Sequence, residues 1–114
     1  MIGGSIVLDK KKLSKMTEIS EVVLTQIEEL ALKYNIKKVI LFGSRARGDY
    51  KKRSDIDLAV IGGDVPEFTL AVDEETTTLL MYDIVDLGRA VQSELLESIN
   101  RDGVVLYEKI WKLL

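Results

Sequence analysis

The stretch LFGSRARGDYKKRSDIDLAVI, residues 41–61, decides how this chain is read. An apolar run ends at Gly43, a basic polar loop follows, and a second apolar run opens on two aspartates, Asp55 and Asp57. KKVILF (37–42) closed by Gly43 predicts a buried strand. DIDLAVI (55–61), stopped by Gly62-Gly63-Asp64, predicts another. Residues i and i+2 of a strand share a face, so Asp55 and Asp57 project together, roughly 6.6–7 Å apart at the backbone.

Two carboxylates so placed repel each other unless a cation lies between them. Taken alone, a D-x-D at the start of a strand is equally a turn-end motif with solvated charge. The flanks favour chemistry. Gly43 ends a strand and Ser44 is able to cap a short helical turn, which presents backbone N–H groups and a hydroxyl to an anion. Arg45 and Arg47 extend from the same turn, and guanidinium matches phosphate oxygens. The pattern is therefore N–H groups and arginines for phosphates, with carboxylates for a hard divalent ion, Mg²⁺ or Mn²⁺.

Other D-x-D readings fail locally. An EF-hand loop continues with oxygen ligands and a glycine, whereas Leu58, Ala59 and Val60 follow here. A haloacid-dehalogenase-like site closes an apolar strand on its first Asp, but here the basic run 51–53 precedes Asp55. Neither G-x-x-x-x-G-K-S/T nor G-x-G-x-x-G occurs.

Gly43-Ser44 ends one strand and Asp55 opens the next, so they meet at one sheet edge only if those strands are antiparallel. A third carboxylate is expected in MYDIVDL (81–87), a strand parallel to 55–61 after a crossover through 64–80. Asp83 lies at the depth of the pair. Asp86 has the opposite parity and should face away.

Around this centre, an amphipathic helix is expected over 17–34, with Ile19, Val22, Val23, Ile27, Leu30, Ala31 and Tyr34 as its apolar stripe. Residues 66–80 fit a helical face weakened by Thr76-Thr77-Thr78. A helix is expected near 90–100 and a last strand at 103–108. The first sixteen residues read as a weak strand or mobile arm, leaving 17–114 as one domain. An apolar tail, Ile110, Trp111, Leu113 and Leu114, closes the chain.

Composition narrows the chemistry. The 114 residues suit one core and no second lobe. With no cysteine and no histidine there is no disulfide, no thiolate or imidazole metal site and no Ser-His-Asp triad. A net charge of −3 argues against bulk attraction to nucleic acid or anionic membrane. No apolar run approaches the ~20 residues of a membrane span, and the N-terminus lacks a signal-peptide pattern. A cytoplasmic protein is expected.

Gly43-Ser44, ten residues, then Asp55-x-Asp57 resembles the signature of the DNA polymerase β-like nucleotidyltransferase superfamily. LFGSRARGDYKKRSDIDLAV, YDIVDL and INRDGVVLYE look like the minimal nucleotidyltransferases, often encoded beside a HEPN-domain protein. The resemblance spans roughly Ile36 to Glu108. It implies an α+β fold, a small mixed sheet backed by helices, with two Mg²⁺ ions held by Asp55, Asp57 and Asp83. It implies that Gly43 and Ser44 bind the β- and γ-phosphates, with Arg45 and Arg47 assisting. The implied reaction moves AMP from ATP to a hydroxyl, in better-understood members a tyrosine of a HEPN toxin that is thereby neutralised. A non-catalytic antitoxin acting by contact and a nucleotidyltransferase of small molecules or RNA ends remain the alternatives. A domain this small would borrow acceptor-binding surface from a partner or a second copy. Tyr50, in the loop by the site, is a candidate for self-modification.

Overall fold

The computed structural model describes residues 3–6 and 9–111. Ten elements follow in the order β1 (Gly3–Ile6), α1 (Lys10–Thr17), α2 (Glu21–Lys33), β2 (Lys38–Phe42), α3 (Gly43–Arg47), β3 (Ile56–Ile61), α4 (Val65–Glu75), β4 (Tyr82–Asp86), α5 (Ser93–Asp102) and β5 (Val104–Trp111). The strands form one sheet ordered β1-β5-β2-β3-β4. β2 pairs antiparallel with β3 and with β5, and β1 antiparallel with β5. β3 and β4 are parallel, with α4 as their crossover. This is the mixed-sheet α+β architecture that the sequence implied.

Strand parity sorts the core. Ile56, Leu58 and Val60 face one side, where they join Val39, Leu41, Leu106 and the buried faces of α1, α2 and α4. Ala59 faces the other side with Phe42 and with Ile99 of α5, flanked by Ile40, Val85, Leu87 and Leu95. Asp57 shares the parity of Ala59, and Asp83 that of Val85, so both carboxylates belong to the α5 side of the sheet.

The helix expected over 17–34 is α2, which starts four residues later at Glu21 because α1 ends at Thr17. The Thr17 hydroxyl donates back to Leu13 O at 2.7 Å, and Thr17 Oγ1 accepts from Ile19 N at 3.2 Å. Glu18 takes a left-handed conformation (φ 54°) and its N–H bonds Ser14 O, which ends α1. Ser20 then caps α2 by accepting from Val23 N. The break moves the apolar stripe: Leu24 is buried, whereas Val22 is exposed. Residues 10–16, expected within a weak strand or mobile arm, belong with Thr17 to a helix capped by Asp9, whose carboxylate accepts from Lys11 N and Lys12 N. Its Leu13 and Thr17 are buried, and Lys10 pairs with Glu28 of α2 at 3.1 Å.

Elsewhere the differences are smaller. α4 stops at Glu75, where Thr76 bonds Val72 O, so Leu79 lies outside it and is fully exposed. α5 begins at Ser93 and runs to Asp102. β5 continues through Ile110 and Trp111 as backbone, while Leu113 and Leu114 lie outside the described residues.

Candidate active site

β2 delivers the chain to Gly43, and β3 returns it antiparallel, so Phe42 and Asp57 are register partners. Gly43 has φ +74°, a conformation L side chains rarely adopt, and a Cβ there would overlap Oδ2 of Asp57. The turn and the carboxylate are therefore in direct apposition. Phe42, not Ser44, occupies the cap position of α3, with no side-chain capping bond; Ser44 lies inside the turn and its carbonyl accepts from Gly48 N. Gly48 ends α3 at φ 94°.

Asp55 lies just ahead of β3 and is exposed. Asp57 is half-buried, and Asp83 of β4 is its register partner across the parallel pair. Asp83 and Asp55 both act on Asp57. Burial first, then the negative charges of Asp83 and of Asp55, push Asp57 up to about 6, against a smaller opposing pull from Arg47 and Arg45. Asp86 is elsewhere: its Oδ1 accepts from Gly88 N at 2.8 Å and its Oδ2 lies 3.8 Å from Arg89.

Among the described residues, no three acidic side chains converge as a ready-made metal cage. The donor chemistry nonetheless fits a hard divalent cation. The set is all oxygen, and burial together with the charges of Asp83 and Asp55 outweighs the pull of Arg47 and Arg45 on Asp57.

The two arginines of the turn part company. Arg47 is exposed and pairs with Asp49 at 3.2 Å. Arg45, expected beside it at the phosphates, is only 2% exposed. Its guanidinium donates to Thr17 O at 2.7 Å, to Ser54 O at 3.0 and 2.9 Å, and to Lys52 O at 3.3 Å. The reason is helical geometry: positions two apart on a helix point about 200° apart, so they cannot serve one ligand together. That signal was present in GSRAR once it was read as a helical turn. Tyr50 stacks on Arg45, 5.0 Å from guanidinium carbon to ring centroid, and its hydroxyl donates to Met16 O at 3.2 Å. The loop tyrosine is thus tied to α1. The sequence reading missed both tethers because they end on main-chain carbonyls, which leave no side-chain signature.

A glycine turn thus abuts Asp57 on a mixed sheet, with Asp83 as its register partner on the neighbouring strand. A family model described as "Polymerase beta, Nucleotidyltransferase" matches residues 25–110, and the chain belongs to that family of nucleotidyltransferases. It is 47% identical over 70 residues to the Methanocaldococcus jannaschii protein named "Putative protein adenylyltransferase MJ0604", a match covering 60% of this chain and 67% of the relative. A chain from a crystal structure titled as a toxin-antitoxin with AMP-PNP superposes with TM-score 0.58 at 26% identity, over 75% of this chain and 73% of that one. A structure titled "putative minimal nucleotidyltransferase" gives TM-score 0.53 at 27% identity, over 85% and 95% of the two chains.

Proposed function

We propose that this nucleotidyltransferase moves AMP from ATP to a hydroxyl of a partner protein, a tyrosine of a HEPN toxin, and so acts as an antitoxin by adenylylation in the cytoplasm. The observation that carries the chemistry is the register pairing of Asp57 with Asp83, with Gly43 packed against Asp57. The protein acceptor is supported by the name of the M. jannaschii relative, and the toxin context and ATP by the toxin-antitoxin structure with AMP-PNP. The HEPN identity and the tyrosine rest on the motif resemblance.

In this reading Asp55, Asp57 and Asp83 hold divalent cations, Mg²⁺ by preference with Mn²⁺ able to substitute. Bound there, such ions neutralise the phosphates and the charge that develops as the bond to the leaving group lengthens. The turn at Gly43 and Ser44 receives the β- and γ-phosphates, and Arg47 contributes charge from the rim. The acceptor oxygen attacks the α-phosphorus in line, its proton passes to Asp83, and the α–β bridging bond breaks to release pyrophosphate. Holding acceptor and α-phosphate in that geometry is the larger part of the protein's contribution.

ATP labelled on the α-phosphate, and separately on the γ-phosphate, tests this with Mg²⁺ and the protein encoded beside this one. Label retained on protein from α and not from γ is the expected result. No label from either, with a tight complex between the two proteins, would replace enzymatic neutralisation with neutralisation by contact. Label on a small molecule or RNA end would move the acceptor out of protein.

A further inference from the structure

We infer that Arg45 is a positioning residue, and that through it helix α1 is part of the frame of the active site. Arg45 follows Gly43-Ser44 directly, so it is rigidly tied to the turn that faces Asp57. Its fork reaches two carbonyls of the segment just ahead of Asp55, those of Lys52 and Ser54. That segment is itself a tight turn, with Ser54 N bonded to Lys51 O at 3.0 Å and Lys51 N to Ser54 Oγ at 2.8 Å. One buried guanidinium therefore fixes the spacing between the Gly43 turn and the approach to Asp55.

The remaining bond is the shortest, 2.7 Å to Thr17 O at the C-terminal end of α1. Tyr50 adds a second tie from the same loop to the same helix end, through Met16 O. Main-chain carbonyls at a helix C-terminus carry partial negative charge, so an arginine suits them electrostatically as well as geometrically. α1 is in turn held by buried Leu13 and by the Lys10–Glu28 pair. It lies outside residues 25–110, the stretch the family model matches. A segment outside the matched region thus carries two of the anchor points for the loop between the halves of the site.

Only a planar, multidentate donor can span three carbonyls, so lysine is a poor substitute here. This separates the inference from a phosphate-binding role, in which a point charge at position 45 would retain much of the function.

The test uses the full chain and the variants Arg45→Met, Arg45→Lys and Leu13→Ala. Hydrogen exchange over residues 48–55, which needs no transfer reaction, should accelerate about tenfold or more in all three, with β2 and β3 still protected. In the transfer assay kcat should fall on the order of 10–100-fold while KM for ATP stays within about threefold, the mark of lost geometry rather than lost binding. Arg45→Lys should be nearly as impaired as Arg45→Met. Unchanged exchange over 48–55 would overturn the inference whatever the assay shows. So would a KM raised about tenfold with the loop still protected, which assigns Arg45 to the phosphates. If Arg45→Met does not fold, Arg45→Lys and Leu13→Ala decide by the same readings.

Discussion

Asp57 and Asp83 are register partners on adjacent parallel strands, two carboxylates facing one side of the sheet with Asp55 two residues away. Such an arrangement costs stability when no cation is present. Asp57→Asn should therefore abolish transfer and yet raise the melting temperature of the metal-free protein at neutral pH. The gain is on the order of 1 kcal/mol, kept small because the half-buried group is partly screened by solvent. Thermal unfolding in chelator checks it, and a lowered melting temperature would count against repulsion at this position.

The same strain sets a pH dependence. Asp57 titrates near 6 in the folded chain against 3.8 as its ordinary value, so the folded state holds its proton more tightly than the unfolded state. Its contribution is fully favourable below about pH 3.8 and is lost as pH rises through about 6. Comparing unfolding of the metal-free wild type with Asp57→Asn across pH 4 to 7 isolates this group. The wild type should lose stability relative to the variant over that interval.

Gly43→Ala should damage the site more than the fold. The backbone there has φ +74°, which costs a side chain about 1–2 kcal/mol, and the new methyl would overlap Oδ2 of Asp57. Displacing that carboxylate should lower kcat about tenfold or more, while circular dichroism stays near that of the parent. Retained activity would mean that Asp57 works from another rotamer.

Asp83→Asn and Asp86→Asn should diverge. Asp83 lies beside Asp57 in register and contributes to its raised titration, whereas Asp86 serves the turn at Gly88 and Arg89. The first should lose transfer, and the second should keep it with a stability loss near 1 kcal/mol or less. A dead Asp86→Asn beside an active Asp83→Asn would reverse the assignment.

Tyr107→Phe should stabilise the protein. Tyr107 is 1% exposed, and its hydroxyl has no hydrogen-bond partner among the described residues. Removing an unsatisfied buried hydroxyl relieves a desolvation penalty of about 1 kcal/mol or more. A melting temperature that falls would show that the hydroxyl is bonded in solution.

The strands and their directions were legible because Gly43, Asp55 and Asp83 could meet only if β2 and β3 were antiparallel and β4 parallel to β3. Residue chemistry set that geometry. The start of α2 was not legible, because Ile19 extends its apolar stripe toward the N-terminus, and α1 was hidden in a lysine-rich run. What separates α1 from α2 is a left-handed Glu18 and a local bond from Ile19 N to the Thr17 hydroxyl, both invisible to periodicity. Arg45 was misplaced for a related reason. Its charge suggested a ligand, while its true partners are carbonyls that any residue type supplies.

β4 is the last strand of the sheet, and its backbone has a ladder neighbour on one side only. One member of the carboxylate trio is therefore mounted on the least restrained rail of the structure, while the other two are set at the better-braced β3. Fraying of that strand would carry Asp83 away from Asp57 and loosen only the margins of the two apolar layers, where Ile84 and Val85 pack. Whatever clamps the outer flank of β4 would set how often the three carboxylates stand together.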